Sequence, residues 1–373
     1  MVRRLRSLLL AVLLLLPGQT RAAQKEERIS AKAWALVEAG SGRLLMGEHE
    51  HDRLPMASTT KIMTALLVLE SGEDLDALVT VAHEAAGVEG SSMHLAAEEK
   101  LSLRDLLYGL MMVSGNDAAV ALAIHLSGSV EAFAARMNAR AAALGCTDTH
   151  FVNPNGLHDP NHYTSACDLC RMAAAAMELP VFRDIVSTER YAATTGDRPR
   201  TFATKNKVLT RIEGGCGVKT GFTKKAGRCL CFAARREGML LIGAVLNAPD
   251  MWDDAKIILD RGFSRYELHT FLTAGQTAGS VTVAGSEKKT LPAVAKEGIL
   301  YPVRKDGADE IRLDIRLADE LTAPVGPGTE AGEAVLTVRG ERVKAVPLIV
   351  EEGASPLTFG WFFTRVIEAY FTS

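Results

Sequence analysis

Strand-like segments stand at both ends of the first two-thirds of this chain, with helix-like segments between them. Residues 33–38 and 42–47 are rich in strand formers and flank a Gly-Ser-Gly turn, which predicts a β-hairpin. Further strand-like runs cover residues 218–223, 228–234 and 239–246. The predicted helices cover residues 102–126, 130–144, 166–178 and 252–264. One sheet built from distant segments, with helices between them, is an α+β fold.

A change of composition near residue 270 indicates a second domain. Short β-like runs separated by Gly and Pro cover residues 280–283, 311–317, 334–338 and 343–349. The length of 373 residues is enough for two domains. We therefore expect a first domain over residues 24–268 and a small all-β domain over residues 269–352.

The C-terminal segment, residues 353–373, is predicted to carry a short amphipathic helix. Its apolar side chains cluster on one side of a helical wheel: Phe359, Phe362, Phe363, Val366, Ile367 and Tyr370. Such a helix can lie in a membrane interface. Because its single arginine and single glutamate cancel, attachment to the membrane surface through residues 357–373 would be hydrophobic. A helix docked on the β-rich domain is the alternative.

The first 23 residues have the layout of a secretory signal peptide. Arginines at positions 3, 4 and 6 precede an apolar run over residues 8–16, and two small residues, Ala22 and Ala23, follow. The apolar run is too short to span a bilayer, which takes about 20 residues. We expect an exported protein at the outer face of the cytoplasmic membrane, with an uncleaved N-terminal anchor as the alternative.

Charge and cysteine content argue against two other classes of protein. A formal net charge of −3 gives no broad basic field, so nucleic acid is not an expected partner. The six cysteines have no spacing typical of a dense disulfide framework, and small buried thiols are expected. A zinc site at Cys167 and Cys170 with a nearby histidine is conceivable but not expected, so we predict no metal site.

The first motif that suggests chemistry is Ser-x-x-Lys at residues 58–61, at the start of the apolar run 62–69. Residues three apart share one face of a helix, so the Ser58 hydroxyl would lie beside the Lys61 amine. Serine needs a neighbouring base to become a good nucleophile, and lysine is a base only when its pKa is lowered. By itself the motif is more typical of a capping serine and a solvated lysine.

Two further short motifs follow in order along the chain. Ser-x-Asn occupies residues 114–116, and Lys-Thr-Gly occupies residues 219–221 at the start of a strand-like segment. This ordered set is typical of serine β-lactamases and penicillin-binding proteins. The sequence around the motifs is similar as well, notably at residues 55–64, 90–93 and 217–223. The chain thus resembles the serine-type D-alanyl-D-alanine carboxypeptidases, the low-molecular-mass penicillin-binding proteins, over nearly its whole length.

The resemblance implies a β-lactamase/DD-peptidase-like catalytic domain, with an antiparallel sheet and a helical cluster. It also implies an acyl-enzyme peptidase that trims peptidoglycan pentapeptides and is inhibited covalently by β-lactam antibiotics. Ser58 would attack the carbonyl of the penultimate D-alanine, and Lys61, kept neutral by crowding with Lys219, would accept its proton. Ser114 would relay a proton to the departing D-alanine. No cofactor is implied.

The same resemblance implies the substrate-binding residues. Asn116 would orient Lys61 and the substrate amide, and Lys219 would assist the proton relay. Thr220 would bind the terminal carboxylate, with Gly221 beside it in the motif. The backbone N–H groups of Ser58 and Phe222 would stabilise the oxyanion.

The chain departs from the family pattern at the expected carboxylate-binding cation. Better-known members have an arginine near the start of the last catalytic-domain helix, whereas residues 248–254 here contain none. Lys205 is the substitute that the sequence suggests. Two smaller departures are Ser165, where threonine is common, and Cys216, for which we expect a packing role.

Three other functions fit the same motifs. A DD-endopeptidase acting on crosslinked peptidoglycan would use the same chemistry. A serine β-lactamase would need a glutamate for deacylation, and the loop over residues 151–163 contains none. An inactive wall-binding scaffold is the third alternative, although all three motifs are intact.

Overall fold

The structure is a computed structural model that describes residues 28–372. The predicted signal peptide lies outside the described residues, as does Ser373 at the end of the predicted tail helix. The α-helices of the described part are α1 (Lys61–Glu70), α2 (Leu103–Tyr108), α3 (Asn116–Ser127), α4 (Val130–Ala143), α5 (Ala166–Glu178), α6 (Pro180–Ser187), α7 (Val208–Arg211), α8 (Met251–Arg265) and α9 (Phe359–Thr372).

The strands fall into a group before Tyr266 and a group from Tyr266 onward. The first group is β1 (Ala33–Glu38), β2 (Leu44–Glu48), β3 (Leu78–Thr80), β4 (Lys100–Ser102), β5 (Arg190–Ala192), β6 (Thr201–Ala203), β7 (Gly215–Thr223), β8 (Gly227–Arg236) and β9 (Met239–Leu246). The second group is β10 (Tyr266–Leu272), β11 (Thr277–Ala284), β12 (Thr290–Ala295), β13 (Ile299–Arg304), β14 (Ile311–Leu317), β15 (Glu320–Thr322), β16 (Glu330–Val338) and β17 (Glu341–Val350).

The main sheet of the first group joins both ends of that segment, as the sequence predicts. Its order is β2-β1-β9-β8-β7, and every neighbouring pair is antiparallel. One face packs on a helical cluster that includes α1, α3 and α5, and the other face packs on α8. Strand β9 is buried along its whole length because it lies inside the sheet with both faces covered. The edge strand β7 carries the Lys-Thr-Gly motif.

The predicted helix over residues 102–126 is wrong in one respect, because the structure interrupts it at the second motif. A π-helical turn over Gly109–Val113 follows α2, and Ser114 then adopts a left-handed conformation with φ of 63°. The Gly115 N–H donates to Gly109 O, and α3 begins at Asn116. The apolar run continues through the break, so hydrophobic periodicity does not reveal it. π-Helical turns often occur at functional sites.

The second group of strands forms a β-rich unit with its own apolar core. Its six-stranded sheet has the order β14-β16-β17-β12-β11-β15, and only the β11–β15 pair is parallel among these described strands. Arg43, in the β1–β2 turn, reaches this unit and makes a bidentate ion pair with Asp309. The two units therefore meet through a charged contact beside the end of the main sheet.

Helix α9 leaves its apolar side chains exposed. Phe359, Phe363, Val366 and Tyr370 are each more than half exposed, so the apolar face is not docked on the β-rich unit. Arg365 forms an ion pair with Glu287, which lies in the turn after β11. Within residues 28–372 no single helix has the length and hydropathy of a membrane span; α3 and α4 reach them only as a pair bent by 85°.

Candidate active site

Ser58 lies on a 3-10 turn, Ala57–Thr60, that leads directly into α1. Ala57 has a left-handed φ of 49°, which is costly for a residue with a Cβ and is maintained by its surroundings. The Thr60 hydroxyl donates to Ala57 O at 2.8 Å, and the Thr59 hydroxyl donates to Met56 O at 2.7 Å. Ser58, the predicted nucleophile, therefore lies on a turn that is fixed by its own neighbours.

Glycines allow two other segments to approach this turn. A Cβ at Gly221 would lie 3.0 Å from both Met56 O and Ser58 N, and a Cβ at Gly156 would lie 2.0 Å from Ala57 O. Gly221 therefore has a steric reason to be glycine, since it brings the edge strand β7 against the backbone of Ser58.

Lys61 is completely buried, and its amine lies among three oxygen atoms. Nζ is 3.1 Å from Ser58 Oγ, 2.7 Å from Asn116 Oδ1 and 2.6 Å from Asn155 O. The two shorter contacts are with acceptors, so a neutral amine spends both hydrogens there and turns its lone pair toward the Ser58 hydroxyl. Burial, together with the positive charge of Lys219, holds the pKa of Lys61 well below its usual value. This geometry suits a base for Ser58.

Asn116 is oriented by its own contacts at the start of α3. Its Nδ2 donates to Glu89 O at 2.6 Å, so that the amide oxygen faces Lys61. Its backbone N–H donates to Ser91 O at 2.7 Å. The neighbouring Asp117 carboxylate accepts from the backbone N–H groups of Met93 and Leu95 and thereby holds the segment that covers the site.

Ser114 and Lys219 form the second polar pair of the site. Lys219 is buried, and its Nζ donates to Ser114 Oγ at 3.1 Å and to Thr220 O at 2.9 Å. Burial and the positive charge of Lys205 lower the pKa of Lys219 to about 7. The left-handed conformation of Ser114 turns its hydroxyl toward Lys219 and out of the helical path of α2 and α3.

A cleft of about 460 Å³ opens over Ser58. Six predicted residues line it: Ser58, Ser114, Lys205, Thr220, Gly221 and Phe222. The other three, Lys61, Asn116 and Lys219, lie behind its wall and reach it through the hydrogen bonds above. Phe222 is 65% exposed on the open edge of β7, where an extended peptide can add as a further strand.

The structure adds residues that sequence reasoning missed. Arg228, Met251 and Trp252 also line the cleft, and Asn155 contributes only its backbone oxygen. A carbonyl group leaves no signature in a sequence, so Asn155 could not have been found. Arg228 could have been found, because it lies opposite Phe222 on the strand that pairs with the Lys-Thr-Gly strand.

The larger cleft and the cysteines within residues 28–372 do not contribute side chains to the contacts described above. A larger cleft of about 1050 Å³ lies beside β1, β2 and α8, but its serine, Ser30, donates to the carboxylate of Asp254 and not to a lysine amine. The cysteines are free thiols. Cys216 is a partly buried residue of β7, and burial raises the pKa of its thiol. No group of three or more metal-ligating side chains occurs within residues 28–372.

The chain belongs to the D-alanyl-D-alanine carboxypeptidase family, whose model matches residues 19–250. The model of the penicillin-binding protein 5 C-terminal domain matches residues 266–354. The resemblance inferred from the motifs is thereby confirmed, together with the predicted fold class.

Named relatives are similar over nearly the whole chain. D-alanyl-D-alanine carboxypeptidase DacF of Bacillus subtilis is 31% identical, and the alignment covers 98% of each chain. DacC of Escherichia coli is 30% identical over 91% of this chain and 87% of its own length. Penicillin-binding protein 5 from Haemophilus influenzae has a similar crystal structure, with a TM-score of 0.74 and 29% identity, covering 88% of this chain and 98% of that one.

Proposed function

We propose that this protein is a serine carboxypeptidase that removes the terminal D-alanine from peptidoglycan stems ending in D-Ala-D-Ala. The observation that carries the proposal is the buried Lys61 amine, which lies 3.1 Å from Ser58 Oγ and is crowded by a second lysine. Relatives similar along the whole chain are named for this activity.

Acylation begins when Ser58 Oγ attacks the carbonyl carbon of the penultimate D-alanine and its proton passes to Lys61 Nζ. The negative charge that develops on the carbonyl oxygen is stabilised by the backbone N–H groups of Ser58 and Phe222. Gly221 supports this arrangement, since its lack of a side chain lets β7 approach Ser58 N.

The tetrahedral intermediate collapses when the C–N bond to the terminal D-alanine breaks. The leaving nitrogen needs a proton, which returns from Lys61 through the hydroxyl of Ser114. The Lys219 amine donates to that hydroxyl and favours the step. Asn116 keeps Lys61 in place throughout.

Water then attacks the ester carbonyl and gives a proton to Lys61. The C–O bond to Ser58 breaks, Lys61 returns that proton to Ser58 Oγ, and the shortened peptide is released. A β-lactam enters the same first step, but its broken amide remains tethered to the acyl group. The leaving nitrogen therefore stays in the site, and the ester with Ser58 persists. β-Lactams are accordingly covalent inhibitors in this proposal.

The experiment that tests the function uses a pentapeptide ending in D-Ala-D-Ala and a fluorescent penicillin. Wild-type protein should release free D-alanine and retain the label through denaturing electrophoresis. Ser58→Ala should lose both, and Lys61→Ala should lose most of both. Persistent labelling of Ser58→Ala contradicts the nucleophile, and wild-type protein that opens the penicillin rapidly without retaining it is a β-lactamase.

We also propose that the protein acts outside the cytoplasmic membrane, with residues 1–23 as the signal peptide. The catalytic domain would comprise residues 24–268 and the β-rich domain residues 269–352, with the C-terminal helix as the anchor. The exposed apolar side chains of α9 support the anchor. Deletion of residues 357–373 should move the protein from the membrane fraction to the soluble fraction, and an unchanged distribution contradicts the anchor.

A further inference from the structure

Two cations line the cleft beside Ser58, and neither forms an ion pair with a carboxylate of residues 28–372. They are Lys205 and Arg228. Unpaired cations in a cleft are suited to an anionic ligand. We propose that Arg228 binds the terminal carboxylate of the peptide and selects for a free C-terminus, an inference that rests on the function proposed above.

The register of the sheet places Arg228 beside the expected carboxylate. Phe222 on β7 pairs with Arg228 on β8, and Thr220 pairs with Leu230 two positions along. Directly paired residues share a face of an antiparallel sheet, and residues two apart in a strand share it as well. Thr220, Phe222 and Arg228 therefore lie on one face and line one cleft, where a hydroxyl and a guanidinium can hold the same anion.

The guanidinium of Arg228 is fixed on one side and available on the other. Nη1 donates to Pro249 O at 2.7 Å, at the turn that leads into α8. Within residues 28–372 this is the one hydrogen bond that the guanidinium of Arg228 makes to protein. Its Nη2 and Nε groups therefore remain available to a ligand. Two parallel N–H donors match the two oxygens of a carboxylate, whereas a lysine amine acts as a point charge.

The acidic residues at the start of α8, Asp250, Asp253 and Asp254, are not among the residues that line the cleft over Ser58. Asp254 is buried and accepts hydrogen bonds from the backbone N–H and the hydroxyl of Ser30. Asp250 lines the larger cleft on that side. Met251 and Trp252 are the α8 residues that line the cleft over Ser58. The α8 side chains that line the position proposed for the ligand are therefore uncharged.

Lys205 has a different task in this arrangement. Its positive charge, after burial, is what lowers the pKa of Lys219. A substrate carboxylate bound to Lys205 would offset that charge in every enzyme–substrate complex. With the carboxylate on Arg228, Lys205 keeps its influence on Lys219 during the reaction.

The test compares two substrates, a peptide ending in D-Ala-D-Ala and the same peptide ending in D-Ala-D-alaninamide. The readout is the ratio of their kcat/KM values in wild type, Arg228→Gln, Arg228→Lys and Lys205→Gln. Arg228→Gln should lower the ratio about 10- to 100-fold, the range for losing a charge-assisted hydrogen bond. Arg228→Lys should fall between wild type and Arg228→Gln, and Lys205→Gln should leave the ratio close to wild type.

Each result separates this inference from the proposed function. An unchanged ratio in Arg228→Gln, or an equal loss on both substrates in both Arg228 variants, overturns the role of Arg228. A fall in the ratio confined to Lys205→Gln overturns it as well and assigns the carboxylate to Lys205. Wild-type protein that releases neither D-alanine nor D-alaninamide refutes the proposed function itself.

Discussion

Gly156 packs directly against the backbone of Ala57, the residue before Ser58, the proposed nucleophile. A Cβ at Gly156 would lie 2.0 Å from Ala57 O and 2.9 Å from Thr60 Oγ1. The same loop supplies Asn155 O to the Lys61 amine at 2.6 Å. One loop therefore contacts both the turn that carries Ser58 and the amine of Lys61, the proposed base.

Gly156→Ala should slow acylation by penicillin as well as destabilise the fold. Its φ of 89° is strained for alanine, and the new methyl group has no room unless the Ala57 carbonyl moves. Gly145→Ala is the matched control, since Gly145 has φ of 73° and open space around it. The control should cost about 1 kcal/mol of unfolding free energy and leave the acylation rate intact. Equal acylation rates in both variants contradict a role for the Gly156 loop in holding Ala57 and Lys61 in position.

Lys205→Gln should move the alkaline limb of the kcat/KM profile to higher pH. The positive charge of Lys205 lowers the pKa of Lys219 to about 7, so its removal lets Lys219 keep its proton to higher pH. A shift of roughly half a pH unit is the size expected for a screened surface charge. Lys207→Gln, a nearby exposed change, should not shift the limb. Identical shifts in the two variants exclude a specific effect on Lys219.

The motif residues could be assigned from the sequence because side-chain chemistry at fixed spacing marks them. The three motifs predicted Ser58, Lys61 and Lys219, which the structure brings together at and behind the wall of one cleft. The supporting contacts could not be predicted in this way. Asn155 acts through its carbonyl oxygen, and Arg228 enters the cleft through strand register rather than through a motif.

The same difference applies to the fold, where local sequence patterns predict some elements and miss others. Strands β7, β8 and β9 and helix α5 follow from local patterns, and α5 has the predicted bounds, 166–178. The break at Ser114 does not, because the apolar run continues through it and no local pattern marks the left-handed φ of Ser114. Local periodicity indicates which face of a helix is buried. At the helix break, by contrast, the Ser114 hydroxyl contacts Lys219, which is 105 residues away in the sequence.

His162 should make stability depend on pH. The ring is buried, its Nδ1 accepts from Val152 N–H, and its Nε2 therefore carries the hydrogen that it donates to Thr60 Oγ1. Burial lowers its pKa from 6.5 to about 4. The folded state keeps the ring neutral while the unfolded chain takes up a proton, so stability is full above pH 6.5 and falls as the pH approaches 4. The whole loss is about 3 kcal/mol.

The measurement is urea unfolding of wild type and His162→Gln between pH 6.5 and 5, where carboxylates stay largely ionised. Wild type should lose about 2 kcal/mol over this range, and the variant should lose little. Parallel curves for the two proteins show that another group causes the loss.

Arg43→Met should destabilise the junction between the main sheet and the β-rich unit. The Arg43 side chain is 14% exposed, and Asp309, its bidentate partner, is 2% exposed. Arg43 also lies over the rings of Tyr266 and Tyr301 at 5.6 and 5.4 Å and donates to Pro302 O. Removing it leaves the buried Asp309 carboxylate without its counter-ion, at a cost of about 3 kcal/mol.

The matched control is Lys288→Met, which removes an ion pair within the β-rich unit. In that pair Lys288 Nζ lies 2.7 Å from Glu352 Oε2. Both of its side chains are at least half exposed, so solvent screens the charges and the loss should stay below about 1 kcal/mol. Chemical denaturation of both variants measures the difference. If both variants lose an equally small amount of unfolding free energy, Arg43 has no special stabilising role. Its contacts are then worth no more than those of the exposed Lys288.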